Sequence, residues 1–332
     1  MAEDRLPGAR VGQLLIRHTE FVANGRGKMK KLDAVDNEFF RGADAAELVE
    51  EQLNFFWHLT SRAGMSISQS DVAQIKEAHD RVSSAVDAVF ENMLETAIER
   101  RGNLSRYSDI AFVPVGEGCL SRTVLTRWGM KPPRKLGEPT GPFDLAIHPI
   151  RATIALLESD FEGWVDPDRL RFSDEYGYVI NPDLEVSFNH EVGEKYNEPG
   201  SFETIRAIYE RRLERFRKVL QEAPTICFVL HVFLPSTEIW QDVRKLWDLL
   251  CARSPHADHM MLVLNTWKAG QEVDMAGRDP IEDENIGVFD IHYPFPDYKW
   301  WVDFATQRGH EFERELITQV RLYVDSRRNA SS

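Results

Sequence analysis

The chain has 332 residues, of which 42% are hydrophobic, and it carries eight Trp. This is enough apolar material for a packed core in one large domain or two smaller ones. The formal net charge of −14 argues against a general binder of nucleic acids or anionic membranes, because both need a basic surface.

The three cysteines stand at positions 119, 227 and 251. They are too few and too scattered for a disulfide framework or a zinc site, which indicates a reducing compartment. The first residues contain no apolar stretch typical of a secretion signal, and no apolar run has the length of a membrane span. We therefore expect a cytoplasmic protein.

Residues 44–100 predict a pair of helices. Gly64 ends the first, and apolar residues recur every three or four positions in the second. These apolar residues, from Val72 to Met93, form a stripe that is suited to packing against either the preceding helix or a second copy of the chain. We expect a homodimer through the helix at 70–100, and a polar link over Arg100–Arg106. Residues 1–105 are assigned to an N-terminal helical region and 106–332 to a separate domain.

The next segment predicts a nucleophile site. Ile110–Val115 has the length and composition of a buried strand, Gly116 and Gly118 allow a sharp turn, and Cys119 then opens a helix. Unpaired N–H groups and the helix dipole at this place are expected to lower the pKa of the thiol. The pattern is a nucleophile elbow with Cys where many hydrolases have Ser. We expect Gly116, Gly118 and Leu120 to admit the substrate and to supply oxyanion N–H groups.

The remaining chain alternates apolar strands with amphipathic helices. An irregular or antiparallel insertion is expected over Phe161–Asn189. The predicted helices are Ile150–Glu158, Ser201–Gln221, Ile239–Leu250 and Glu311–Tyr323, and the predicted strands are Thr225–Phe233, His259–Leu264 and Ile286–Ile291. This alternation predicts an α/β domain with a mostly parallel sheet and helices on both faces, a three-layer arrangement similar to Rossmann and SGNH proteins.

A cysteine nucleophile needs a base, and the base needs an orienting group. The candidate bases are His148, His190 and His292. Asp290 and His292 lie two apart on a strand and therefore share a face, which could open on the same crevice as Cys119. Each histidine also has an ordinary structural interpretation, and Asp144 could simply cap the helix that follows it.

The order of several short motifs over residues 108–320 resembles a bacterial family of unknown function described as papain-like cysteine peptidases. The matching motifs are Gly116-Glu117-Gly118-Cys119, Pro142-Phe143-Asp144, Phe188-Asn189-His190, and the helix Tyr209–Phe216 with the apolar strand after it. The resemblance implies a catalytic pair formed by Cys119 and His190, with Asp144 as the orienting acid. Asp290 and His292 form a reserve pair.

Three functions stay open at this point. The first is a cysteine-dependent hydrolase acting on a small-molecule, glycan or peptide substrate. The second is an acyltransferase of bacterial surface polysaccharide synthesis, since enzymes there that use acyl-coenzyme A carry a comparable Gly-x-Cys after a strand. The third is a non-catalytic scaffold. The sequence has no dinucleotide fingerprint, Walker loop or dense metal-ligand spacing, so we expect no cofactor and no metal, apart from coenzyme A in the second case.

Overall fold

The computed structural model of the chain describes residues 92, 95–132, 136–137, 140–198, 200–233, 239–268, 283–304 and 306–331. The predicted helical hairpin lies outside the described residues except for its last turns, and so does most of the proposed dimer helix. The chain divides into two compact units. One comprises the described residues from Ala97 to Tyr298 and from Glu311 onward, and the other includes residues 92, 95–96, 299–304 and 306–310. The predicted boundary at 105/106 stays a prediction.

The described helices and strands follow one another in alternation for most of the chain. In order they are α1 (95–106), β1 (Ala111–Gly116), α2 (Leu120–Arg127), α3 (Ile150–Glu158), β2 (Arg171–Ser173), β3 (Tyr178–Asn181), β4 (Val186–Val192), α4 (Ser201–Glu222), β5 (Thr225–Phe233), α5 (Ile239–Arg253), β6 (Asp258–Lys268), β7 (Ile286–Tyr293), α6 (Trp300–Asp303) and α7 (Gln307–Ser331).

Four of these strands form a parallel sheet in the order β1-β5-β6-β7. The expected α/β class with a mostly parallel sheet is therefore confirmed. The strands β2, β3 and β4 form a separate antiparallel sheet, which confirms the expected antiparallel insertion. A bridge between Ile147 and Ser187 joins β4 to the segment before α3.

Alternate residues along the parallel strands enter different apolar contacts, as the pleat of a strand requires. Val113 of β1 and Leu230 of β5 belong to the buried core that includes residues of α3, α4 and α5. Phe289 of β7 makes a ring contact with Tyr323 of α7, and Tyr293 makes one with Phe312. None of the described helices is long and apolar enough to cross a membrane.

The polar stretch before β1 differs from the prediction. Residues 100–106 continue α1 instead of forming a link. The reason is that their side chains bond to the end of α2: Arg100 Nε donates to the Arg127 carbonyl at 2.7 Å, and Asn103 Nδ2 donates to the Trp128 carbonyl at 2.8 Å. Carbonyls at a helix C-terminus lack intrahelical partners, so these contacts satisfy groups that would otherwise be buried unpaired.

The turn between β1 and α2 is fixed by Gly116. Its φ is +117°, a conformation that L side chains rarely adopt. A Cβ at this position would lie 2.5 Å from Leu230 Cδ1 and 2.8 Å from the His231 carbonyl oxygen, so the backbone of β5 excludes any side chain here. Gly118 differs, because a Cβ there would meet nothing within 4 Å.

We predict that Gly116→Ala lowers the free energy of unfolding by about 1–3 kcal/mol, because the variant combines an unfavourable φ with an overlap against β5. Gly118→Ala is the matched control and should change the free energy of unfolding by about 0.5 kcal/mol or less. Urea denaturation of both variants measures the difference. Equal destabilisation of the two would contradict this account of the turn.

Candidate active site

Cys119 and His190 meet at the end of β1. The distance between Cys119 Sγ and His190 Nε2 is 3.5 Å, within hydrogen-bond range for sulfur. Cys119 is the N-cap residue of α2, directly beyond the carboxyl end of β1. His190 comes from β4 of the antiparallel sheet. The structure thus brings together two side chains that are 71 residues apart in the sequence.

A bulge in β4 directs the histidine. Tyr178 pairs with Val192, whereas the next residue of β3, Val179, pairs with Phe188. Residues 189–191 therefore have no partner in β3, and the strand departs from regular alternation at this point. Bulges of this kind re-aim a side chain and occur often beside active sites. Here the bulge exposes His190 while Glu191 is buried.

Glu191 anchors the bulge through a buried polar group. The hydroxyl of Tyr196 donates to Glu191 Oε2, and Arg212 Nη2 lies 3.9 Å from Glu191 Oε1. The Arg212 guanidinium also lies over the Tyr209 ring, 4.2 Å from its centroid. Buried polar groups that satisfy one another fix a local geometry. The sequence alone does not predict this cluster, because nothing in its pattern shows that Glu191 turns inward next to an outward histidine.

The electrostatics of the pair differ from the sequence-based expectation. Burial raises the pKa of the Cys119 thiol above its ordinary 9.0, and its own backbone N–H and the charge of Arg122 offset this only in part. Although part of His190 is exposed, its ring is partly desolvated beside Cys119, and this desolvation, followed by the positive charges of Arg122 and Arg212, lowers the pKa of His190 from 6.5. The prediction of a lowered thiol pKa is therefore wrong in its net direction. Near neutral pH the pair consists of a thiol and a neutral imidazole.

The oxyanion groups are fewer than predicted. The Gly118 N–H is already used, because it donates to the Gly116 carbonyl at 2.9 Å. Helix α2 begins with the bond from Thr123 N–H to the Cys119 carbonyl, at 2.9 Å. The Leu120 N–H belongs to the first turn, whose N–H groups have no acceptor within the helix. Gly116 serves the turn, and the open space at Gly118 leaves room for a substrate.

Asp144 does not orient His190. Its Oδ2 accepts hydrogen bonds from Lys131 Nζ at 2.6 Å and from the Gly141 N–H at 2.7 Å. The side chains of Asp144 and Lys131 are both buried, at 1% and 5% exposure, so this is an internal ion pair. Among the described side chains, the His190 ring has a hydrogen bond to Cys119 alone.

Asp290 and His292 lie away from Cys119. They belong to β7, which is three strand spacings from β1, roughly 14 Å across the sheet. Asp290 Oδ1 accepts a hydrogen bond from Asn265 Nδ2 at 2.9 Å, and the His292 ring contacts Trp267 with centroids 6.1 Å apart. Both residues lie within the strand and not beyond its end, so the expected shared crevice is not formed.

His148 is fully buried. Its Nε2 accepts a hydrogen bond from Trp164 Nε1 at 3.1 Å, and burial lowers the pKa of His148 to about 3. It is a neutral core histidine, which removes it from the candidate bases.

The described residues contain no group of three or more His, Cys, Asp or Glu side chains arranged to hold a metal ion. No family model matches the chain, and no curated protein or solved structure matches it significantly. The arrangement of the side chains is therefore the basis for the function proposed below.

We predict that the alkylation rate of Cys119 keeps rising with pH beyond 9, because only the thiolate reacts and its pKa lies above 9.0. Labelling with iodoacetamide from pH 5 to 10, followed by peptide mass spectrometry, measures the rate for each cysteine. Cys251, whose pKa is raised to about 12, is the internal control and should react more slowly at every pH. A plateau reached below pH 7 would mean a thiolate–imidazolium pair and would contradict this assignment.

We predict that His148 makes folding sensitive to acid. Its pKa is about 3 in the folded chain and ordinarily 6.5, so between these values the unfolded state binds more protons. The free energy of unfolding then falls as the pH is lowered from 6.5. His148→Gln keeps an acceptor for Trp164 and removes the share of this dependence that His148 contributes, about 1.4 kcal/mol per pH unit. His231, whose pKa burial also lowers to about 3, contributes a second share in the variant and in the wild type alike. Urea denaturation at pH 7, 6 and 5 tests this, with exposed His256→Gln as the control that should follow the wild type.

Proposed function

We propose that the protein is a cysteine-dependent hydrolase that acts on a carbonyl substrate, with Cys119 as nucleophile and His190 as general base. One observation carries this proposal: the thiol and the imidazole lie 3.5 Å apart at the carboxyl end of β1. In parallel α/β sheets this edge is where ligands bind. A nucleophile within hydrogen-bond reach of a base is the arrangement that covalent catalysis requires.

The reaction proceeds through a thioester. His190 Nε2 accepts the thiol proton of Cys119 as Sγ bonds to the carbonyl carbon, and the developing oxyanion is held by N–H groups of the first turn of α2. The imidazolium then gives its proton to the leaving group as the bond to that group breaks. Water next attacks the thioester while His190 accepts its proton, and the free thiol and a carboxylic acid are released.

A neutral resting pair suits this role. Because the pKa of His190 is lowered from 6.5, the ring is unprotonated and able to accept a proton near neutral pH. Because the pKa of Cys119 is raised, the thiol stays protonated until the substrate arrives. The proton transfer is therefore coupled to attack, as it is for a serine nucleophile.

We further propose that the helices enclose the parallel sheet as a three-layer domain. Two observations support this arrangement. Val113 and Leu230 share a core with α3, α4 and α5, whereas Phe289 contacts Tyr323 of α7.

We predict that His190→Ala lowers kcat by about 10²–10⁴, the usual contribution of a general base, and that Cys119→Ala removes turnover. A panel of p-nitrophenyl esters and aryl thioesters with acyl groups of different size supplies the assay. Both variants should keep nearly the Tm of the wild type, because neither residue belongs to the buried apolar core and the His190 ring has a hydrogen bond only to Cys119 among the described side chains.

His292→Ala is the matched control, since it removes an exposed histidine from the far edge of the sheet. This variant should keep wild-type activity. Full activity of Cys119→Ala on a substrate that the wild type turns over would refute the proposal. Loss of activity in His292→Ala, together with full activity of His190→Ala, would identify His292 of β7 as the general base instead.

A further inference from the structure

Two stacked tyrosines lie beside the candidate base. Tyr178 of β3 is paired with Val192 of β4, and a pair of this kind in an antiparallel sheet places both side chains on the same face. The ring of Tyr176, in the turn that precedes β3, stacks on the Tyr178 ring with centroids 5.6 Å apart and an angle of 17° between the planes. Tyr176 is 57% exposed and Val192 is 51% exposed. The three side chains form an exposed surface, which we call the tyrosine patch.

The tyrosine patch is continuous with the Cys119–His190 pair. His190 lies two residues before Val192 in β4, roughly 7 Å along the strand. Both residues are exposed and Glu191 between them is buried, so His190 and Val192 project from the same side of the strand. A substrate whose carbonyl lies at Cys119 can therefore place another of its groups on the patch.

Two carboxylates border the tyrosine patch. Asp174 and Glu175 belong to the turn between β2 and β3, and both are exposed. The Tyr176 hydroxyl donates a hydrogen bond to the Glu175 carboxylate, which holds a negative charge at the rim of the stacked rings. Aromatic rings beside carboxylates are the groups that bind ammonium and guanidinium ions, through cation–π attraction and charge-assisted hydrogen bonds.

The cations of the smaller sheet are directed to other groups. Arg171 Nη1 donates to the carbonyls of Asp168 and Leu170, at 2.8 and 2.6 Å. The Lys195 ammonium lies over the Tyr196 ring, 4.7 Å from its centroid. The negative charge of the turn between β2 and β3 is therefore available to a cation of the substrate.

The charge on the Cys119 side of the pair is positive. Arg122 follows Cys119 by three residues in α2, so the two side chains lie on the same face of the helix. The charge of Arg122 acts on both Cys119 and His190. Arg212, the other cation that acts on His190, is buried and faces Glu191 at 3.9 Å. A cationic group is thus repelled from α2 and attracted to the turn between β2 and β3, which sets the direction of such a substrate across the pair.

We propose that the tyrosine patch is a subsite for an ammonium or guanidinium group of the substrate. The cation lies against the stacked rings of Tyr176 and Tyr178, and the carboxylates of Asp174 and Glu175 compensate its charge. Val192 contacts the methylene stem that carries the cation. The subsite rests on the proposed function and gives it a substrate class, namely a carbonyl compound whose acyl part bears a basic side chain.

The experiment compares chloromethyl ketones that differ in one side chain. Acetyl-lysine chloromethyl ketone carries the cation, acetyl-norleucine chloromethyl ketone carries the same methylene chain without it, and acetyl-glutamate chloromethyl ketone carries a negative charge. We expect the lysine reagent to alkylate Cys119 about three- to tenfold faster than the norleucine reagent, because exposed cation–π contacts and ion pairs are each weak. The glutamate reagent should be slowest, and added salt should shrink the differences. Peptide mass spectrometry measures the rates.

Matched charge variants locate the effect. Asp174→Asn combined with Glu175→Gln removes both carboxylates from the patch and should bring the lysine reagent down to the rate of the norleucine reagent. Asp183→Asn combined with Glu185→Gln is the control, because it removes the same charge from exposed residues at the other end of β3, and it should keep the preference. Tyr176→Leu removes the outer ring and should lower the preference at an unchanged Tm, since Tyr176 is exposed.

The outcomes separate the two proposals. If the norleucine reagent labels Cys119 in a manner that depends on His190 but the lysine reagent is no faster, the subsite is wrong and the proposed function stands. If the lysine preference survives removal of both carboxylates at the patch, or is lost equally in the control, the attraction comes from the overall charge and the subsite is wrong. If the preference depends on the patch but His190→Ala reacts like the wild type, the subsite is supported and the general base is refuted.

Discussion

The close contact between β1 and β5 at Gly116 is the constraint on which the candidate site depends. A Cβ at Gly116 would overlap β5, so the backbone at Gly116 lies in close contact with Leu230 and His231 before the chain turns. Glu117 then fixes the turn from its side chain: its carboxylate accepts the Phe233 N–H at 3.2 Å. Cys119 follows two residues later at the start of α2. Its position is thus set by sheet pairing rather than by contacts of the thiol itself.

Desolvation outweighs the helix terminus in setting the state of the nucleophile. The N-terminus of a helix stabilises negative charge by a modest amount that fades within one turn, and α2 is only eight residues long. Burial of a thiol opposes ionisation more strongly, so the pKa of Cys119 rises despite its own N–H and the charge of Arg122. Partial desolvation of the imidazole ring likewise lowers the pKa of His190. In a site of this kind the general base removes the thiol proton as the sulfur attacks the substrate.

Local patterns predict the elements of this protein well and its contacts poorly. The predicted strand Thr225–Phe233 and helix Ile150–Glu158 occur with the same bounds, because apolar runs and periodicity are properties of neighbouring residues. Side-chain partners that are distant in the sequence cannot be predicted in this way. Asp144 pairs with Lys131 rather than with His190, and this pairing is seen only in the folded chain. The order of the strands in the sheet, which separates Asp290 from Cys119, likewise cannot be predicted from the spacing of residues along the sequence. The meeting of Cys119 with His190 agrees with the motif order of the resembling family, but the bulge that directs His190 leaves no signal in the sequence.

The two side chains of the candidate site belong to different sheets. Cys119 follows a strand of the four-stranded parallel sheet, whereas His190 lies in a three-stranded sheet built from strands of three, four and seven residues. Val179, Val186 and Phe188 of the smaller sheet nevertheless belong to the same buried core as Val113 and Leu230 of the larger sheet. Because β3 and β4 contribute to that shared core, the position of the base relative to the nucleophile is tied to the packing of the core as a whole and not to the smaller sheet alone.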